Sequence, residues 1–444
     1  SEPAGRSAEC AKEDAMSDYP VFTPEMKSTH KILMPMMLPI HFEMLEHVFR
    51  DAGYDVEILK NDGPSVVDEG LRHVHNDTCY PALLVIGQMI DALKSGKYDV
   101  DRVALGITQT FGGCRASNYL FLLRKALARA GFSQVPVISL NLSGLEQSPG
   151  FKLPPYALLK SLCCVAAGDF LMDISGQCRP YELTAGETDA VVAKWQASLI
   201  ESWRTAVNPV AALRGAYPEI LSDFAAVKRQ AAHRLKVGIV GEIYMKYSPL
   251  GNNHLEELLI AEGAEPVVPG LLDFGLYICY NGVQGRKLYG GGLAQALGAK
   301  VGYAYLLSLK EDMRRAIQKQ GVFDVPMPFD EVVEMAQNYI NLGVRMGEGW
   351  LLTAEMAELL HEGVKNIVCV QPFGCLPNHI VGKGMQRELR TLHPEANIVA
   401  VDYDPGASEV NQQNRIKMML ATARRAEGLT PGRRGPAASL GDVG

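Results

Sequence analysis

The sequence predicts an α/β protein of two lobes, each built on a parallel sheet, with helices between them. Three observations predict it. Short apolar runs of strand length recur along the chain, separated by amphipathic stretches of helix length. Runs such as Val103-Ala-Leu-Gly-Ile-Thr108 and Asn366-Ile-Val-Cys-Val370 do not alternate with polar residues, as expected of strands buried on both faces. The alternation also occurs twice, on either side of a stretch, about 154–234, with few strand signals.

In chain order, residues 1–28 are polar and without period, and read as a loose leader. Structure begins at Lys31-Ile-Leu-Met-Pro-Met-Met37, an apolar run that reads as a buried strand. A helix from His41 to Ala52 should close at Gly53, which suits a C-cap. Strands follow at Asp55–Leu59, Val103–Thr108 and Val135–Leu140, with helices at Tyr80–Leu93 and Ala116–Ala130. The second set starts at Lys236-Val-Gly-Ile-Val-Gly241. It continues with a helix at Asn252–Ala261, a strand at Glu265–Val268 and a mostly helical stretch at about 270–362. Strands at Asn366–Val370 and Asn397–Asp402 and helices at His379–Leu392 and about 408–425 complete it. The expectation is two Rossmann-like lobes, 29–170 and 236–426, the second with a helical insertion. A helical connector spans 171–235, and a disordered tail spans 427–444, rich in Gly, Pro and Arg.

Composition narrows the function classes. The chain has 444 residues, 47% of them hydrophobic and 21% charged, which fits a globular protein and not a disordered one. Its 43 basic and 50 acidic residues give a net charge of −7, so no global field draws it to nucleic acid or to an anionic membrane. The most apolar stretch, Tyr156–Met172, is broken by Lys160 and Asp169, so no membrane span is expected. No basic-then-apolar leader precedes the first strand, so a cytoplasmic protein is expected. The chain opens at Ser1, as a processed product or a segment of a longer protein would.

There are nine cysteines, an odd number and too sparse for a disulfide scaffold. Three share a special context. Cys79 lies in Asn76-Asp-Thr-Cys-Tyr-Pro81, between a loop and a helix start. Cys114 in Gln109-Thr-Phe-Gly-Gly-Cys-Arg115 and Cys375 in Gln371-Pro-Phe-Gly-Cys-Leu-Pro377 each follow a strand and precede a helix. Open parallel sheets bind ligands beyond the carboxyl ends of their strands. Helix N-termini there favour thiolates and anionic clusters. Three such thiolates can hold catalytic zinc, or a 4Fe–4S cluster with one iron left for substrate. The absence of any C-x-x-C pair weakens structural zinc. Cys163, Cys164, Cys279 and Cys369 read as core thiols, Cys178 is unassigned in a connector, and Cys10 falls in the leader.

Five longer blocks carry a resemblance: Asp77–Pro81, Gly112–Tyr119, Gly347–Met356, Gln371–His379, and Asp402–Asp404 with Ser408–Gln412. They resemble the dehydratase-like half of large activase–dehydratase proteins of the 2-hydroxyacyl-CoA dehydratase superfamily. That superfamily also includes double-cubane cluster proteins and benzoyl-CoA reductase subunits. The resemblance covers about Lys31 to Met419. It implies an iron–sulfur cluster held by Cys79, Cys114 and Cys375. It also implies an ATP-hydrolysing activase of actin/hexokinase-like fold as partner, with its own cluster, feeding in one low-potential electron. The implied substrate is an acyl-CoA, dehydrated by way of a ketyl radical anion, and a dimer is expected. A double-cubane 8Fe–9S cluster would need more cysteines than these three, so a single cubane is favoured, with zinc the weaker choice.

Arg115 is the candidate to balance the cluster's charge. Ser117, Asn118 and His379 are the candidate catalytic residues, with Tyr80 and Asn378 also near the ligands; Ser117 and Asn378 equally suit helix caps. Gly241–Lys246 with Asn252-Asn-His254 can line the cleft, and Gly382-Lys-Gly384 can meet a phosphate. The activity expected is that of a dehydratase or reductase, lyase or oxidoreductase. The alternatives are a redox module that reduces small molecules without CoA and a non-enzymatic electron-transfer subunit. No G-x-G-x-x-G, P-loop, G-x-S-x-G or H-E-x-x-H pattern supports another cofactor or nucleophile.

Overall fold

A computed structural model describes residues 19–75, 77–110, 113–140 and 148–429. The outer parts of the expected leader and tail, Cys10 among them, lie outside the described residues. The described part of the leader is packed: Phe22 is buried, and its carbonyl accepts the Gly150 N–H at 2.9 Å.

Both sheets are four-stranded and parallel. The first contains β1 (Lys31–Met34), β2 (Asp55–Ile58), β3 (Val103–Thr108) and β4 (Val137–Leu140), in the order β2-β1-β3-β4. Ile32 lies opposite both Val56 and Ala104, and Leu105 opposite Val137. The second contains β5 (Leu235–Gly241), β6 (Ala264–Val267), β7 (Asn366–Pro372) and β8 (Asn397–Tyr403), in the order β6-β5-β7-β8. Cys369 lies opposite both Val240 and Ala400. Strand order reverses between β1 and β3 in one sheet and between β5 and β7 in the other. A crevice opens at the carboxyl ends of such strand pairs, because the flanking chain leaves toward opposite faces. The two-lobed α/β architecture is therefore as the apolar strand runs predict.

Local sequence explains the elements. β3 and β7 are buried almost throughout, which their apolar runs require. The helices Pro39–Asp51, Pro64–His73, Tyr80–Lys94, Pro155–Cys178 and Pro209–Ala226 carry proline in the first turn, where its missing N–H costs nothing. Helix Tyr119–Ala130 ends on Gly131 in the left-handed conformation. One buried side-chain cluster includes Leu33 and Leu105 of the first sheet and Val237 and Val368 of the second, so the lobes share a core.

The structure corrects four local expectations. Helix Pro64–His73 has few apolar residues and was not expected. It forms because it packs on helix Tyr80–Lys94, where a Cβ on Gly87 would stand 2.1 Å from the Val66 carbonyl oxygen. The helix expected at His379–Leu392 is instead a π-helical turn, Asn378–Lys383, followed by helix Gln386–Leu392. The helix expected at Ala116–Ala130 begins as a 3-10 turn, Arg115–Asn118. The boundary expected at 170 falls inside the unbroken helix Pro155–Cys178, which also removes Cys178 from a connector and buries it.

That helix holds the lobes together. Asp169 on it accepts the Leu271 and Leu272 N–H groups at 2.8 and 2.7 Å, and its carboxylate lies 2.8 Å from His41 Nε2. Among the described residues no helix is long and apolar enough to cross a membrane.

Candidate functional site

The crevice is assembled by chain segments leaving the switch-point strands. Cys114 leaves β3 at the head of the turn Arg115–Asn118. Cys375 follows β7 after Phe373 and Gly374, and Glu242 follows β5 directly. Cys79 arrives from the first lobe as the residue capping helix Tyr80–Lys94.

Contacts across the lobes bring these segments together. The Tyr80 N–H donates to the Phe373 carbonyl at 2.9 Å. Arg115 donates through Nη1 to the Gly374 carbonyl. Gly374 has φ of 71°, and a Cβ there would stand 2.7 Å from the Thr78 carbonyl oxygen and 3.1 Å from Cys79 Cα. Both the conformation and the space require glycine. The third cysteine is tied in by the loop before helix Trp350–His361. A Cβ on Gly347 would lie 2.8 Å from Pro377 Cγ and 3.7 Å from Cys114 Cβ. The Gly113 N–H also meets Met346 Sδ at 3.2 Å.

Three cysteines, expected as ligands on sequence grounds, are thus brought near one another where the lobes meet. Cys79 and Cys375 are buried and Cys114 is half-buried. Burial pushes all three thiols up, Cys114 to about 12, and the carboxyl groups of Glu242 and Glu348 push Cys114 and Cys375 further. The Tyr119 hydroxyl lies 2.9 Å from Cys79 Sγ.

Glu242 and Glu348 were not singled out by the sequence. Both are more than nine-tenths buried, and both are bound to one short helix N-terminus. Glu348 Oε1 accepts the Ile243 N–H at 2.9 Å, and Glu242 Oε2 accepts the Met245 N–H at 2.9 Å. Burial, then the neighbouring Glu348, pushes Glu242 up to about 8; burial raises Glu348 as well. Behind them Lys246 donates to Glu355 Oε1 at 2.7 Å, a fully enclosed ion pair. Glu242 lies in the cleft segment read from sequence and Glu348 in the Gly347–Met356 block, but neither has a local pattern that marks it.

The other candidates take humbler positions. Ser117 Oγ donates to the Cys114 carbonyl at 2.8 Å, closing the ligand's own turn. Asn378 is fully buried and donates to the Val370 carbonyl at 2.6 Å. His379 Nδ1 lies 2.6 Å from the Cys375 carbonyl oxygen, so its ring is tied to the turn and only its other edge is free. Asn118 is exposed at the end of its 3-10 turn and makes no side-chain cap. Tyr80 is half-buried, and burial raises its hydroxyl to about 12. Asn252 is buried and bonds the backbone at Met245, Lys246 and Leu255. His254 reaches Asp62 of the first lobe at 3.7 Å. Lys383, between the two glycines considered for phosphate, pairs with Asp402 at 3.1 Å. Cys163, Cys164 and Cys369 are core thiols, away from this crevice in their packing clusters.

No protein-family model matches the chain, and no curated protein matches it. Its class rests on fold and site: a two-lobed parallel α/β protein with three thiols and two carboxyl groups in the crevice between the lobes. The donor set fits a soft metal centre. Among the described residues, no three His, Cys, Asp or Glu side chains stand close enough to share a single metal ion. A cubane makes a different demand, because each thiolate binds a separate iron at its own corner and the sulfurs stand farther apart.

Proposed function

We propose that this chain is an iron–sulfur protein of the 2-hydroxyacyl-CoA dehydratase type. It holds a 4Fe–4S cluster on Cys79, Cys114 and Cys375 and passes electrons from an ATP-hydrolysing partner to a substrate. The observation that carries the reading is the approach of three cysteines from distant sequence positions at the contact between the lobes, two of them after the switch-point strands β3 and β7 and the third at the head of helix Tyr80–Lys94. When bound, such a cluster supplies single electrons at low potential.

The chain's own residues do the rest. Arg115 places a guanidinium beside the crevice while holding Gly374, so it offsets negative charge and ties the Cys114 turn to the Cys375 turn. The Tyr119 hydroxyl donates toward Cys79 Sγ, which favours the ligating thiolate. Burial raises the carboxyl groups of both Glu242 and Glu348, and Glu242, pushed up to about 8, holds a proton near neutral pH at the crevice wall. Loss of water from a hydroxy-acyl group requires proton transfers, and carboxyl groups poised near the working pH perform them best. Phe373, Leu376 and Met346 flank the ligands with exposed apolar side chains, which exclude water once a thioester or a partner covers the mouth.

The test is metal and sulfide analysis of the chain purified without oxygen. About four irons and a broad absorbance near ~400 nm support the reading. A colourless protein with stoichiometric zinc overturns it. Shifts of that absorbance on adding an acyl-CoA separate a CoA-dependent enzyme from a redox module or an electron-transfer subunit, neither of which binds the thioester.

A further inference from the structure

A second cavity, of about 430 Å³, lies along the edge strand β6 of the second sheet. It is walled by helix Pro155–Cys178, the helix Leu293–Gln320 and the helix Trp350–His361. Cys114 and Cys375 instead follow β3 and β7 and Cys79 caps helix Tyr80–Lys94, and none of them lines this cavity, so the two are separate places. The volume is that of a small-molecule site.

Its walls are of two kinds. Aliphatic side chains such as Met172, Val267, Met313 and Leu359 form one. Carboxyl groups form the other, with Asp173, Glu358 and Glu362 among them. The lysines of the cavity form their hydrogen bonds elsewhere, although the charge of Lys310 reaches Glu358 and Glu362 and that of Lys236 reaches Glu362. Lys310 gives its ammonium to both oxygens of Asp273 at 2.6 and 2.8 Å, and Lys236 is held by Asp324.

Glu358 is the telling residue. It is 7% exposed, lines the cavity, and has no hydrogen-bond or ion-pair partner among the described residues. Asp173 Oδ2 is likewise buried without a partner on the same wall. Glu362 gives one oxygen to the Met327 N–H at 3.1 Å, and its charge reaches both of the others. A buried carboxyl group without a partner is costly unless something pairs with it. A lone metal ion is a poor match, since no three acids stand at single-ion spacing among the described residues. Separated acids with aliphatic surface between them match a flexible cation with two charged ends.

We propose that this cavity binds an aliphatic diamine or polyamine. One ammonium would sit at Glu358 and the other toward Asp173, with the methylene chain against Met172, Val267 and Leu359. The site is independent of any cluster in the crevice.

The test is calorimetry and thermal melting of the full chain with 1,5-diaminopentane and with spermidine. 1,5-Pentanediol serves as the uncharged control, and magnesium chloride as the ion control. The proposal expects saturable 1:1 amine binding and a raised melting temperature, with no effect of the diol. Glu358→Gln keeps the shape and removes the charge, and should weaken amine binding about 10- to 100-fold, the factor a buried hydrogen bond to a charged group carries. Asp173→Asn should weaken the diamines but not 1-aminopentane. Glu201→Gln, on the exposed surface, should change nothing. Amine binding no stronger than that of the diol, saturable magnesium binding in its place, or amine binding unchanged in both cavity variants would overturn the proposal.

Discussion

Gly374 packs directly against Thr78 and Cys79 of the other lobe, and replacing it by alanine tests whether that contact builds the site. Two costs follow. The backbone at φ of 71° is left-handed, which costs an L-residue about 1–2 kcal/mol. The new methyl group would also stand 2.7 Å from the Thr78 carbonyl oxygen, where ordinary contact begins at 3.4 Å. The loop bearing Cys375 must therefore retreat from Cys79 by several tenths of an ångström. The two effects can be separated with Gly186→Ala. Gly186 has φ of 83° and nothing within 4 Å of its added Cβ, so it carries the backbone cost alone. Urea unfolding of the metal-free proteins should show Gly186→Ala losing about 1–2 kcal/mol. Gly374→Ala should lose more. Anaerobic reconstitution with iron and sulfide should then give full iron in Gly186→Ala and a clear deficit in Gly374→Ala. Equal stability and equal iron in the two variants would refute the idea that this contact sets the cysteine spacing.

Three further outcomes follow from the same geometry. In the metal-free protein the Glu242 carboxyl group binds its proton more tightly when folded, so its contribution to stability is full below about pH 4.5 and is lost as pH rises toward about 8. Unfolding free energies from urea titrations should fall across that window by up to about 1.4 kcal/mol per pH unit from this group, and Glu242→Gln should flatten the fall; a parallel profile in the variant contradicts this. Lys246→Met leaves Glu355 buried and unpaired and should cost about 3–5 kcal/mol, most of it recovered in the double variant with Glu355→Leu. Asp169→Ala removes the acceptor of two N–H groups at the head of helix Leu271–Tyr289 and of His41, and should cost about 3 kcal/mol or more in unfolding experiments.

How much of this was legible depends on the range over which each feature is determined. β3 and β7 are legible because a strand covered on both faces needs apolar residues at every position. Cys114 and Cys375 are legible for the same reason: each follows such a strand with glycine beside it, a local pattern with a local cause. Glu348 is not, because its meaning comes from the Ile243 N–H, 105 residues away in sequence. Tyr119 falls inside the helix expected at Ala116–Ala130 with nothing local to mark it, and the approach of Cys79 gives its hydroxyl a partner. The break of the helix expected at His379–Leu392 comes from Asn378, whose buried amide bonds back to β7 and holds a wide turn open. A lobe boundary at 170 is not what the structure draws, because helix Pro155–Cys178 runs unbroken through it and Asp169 bonds to both lobes. In the folded chain it is one of the residues that join the lobes.

Iron retention in single cysteine variants tests the central claim most directly. The chain and its Cys79→Ala, Cys114→Ala, Cys375→Ala and Cys163→Ala forms would be reconstituted without oxygen, desalted, and assayed for iron and acid-labile sulfide. The account predicts about four irons in the parent chain and in Cys163→Ala, and loss of most iron in each of the other three. Full iron in Cys114→Ala, or loss from Cys163→Ala equal to that from Cys375→Ala, would contradict it.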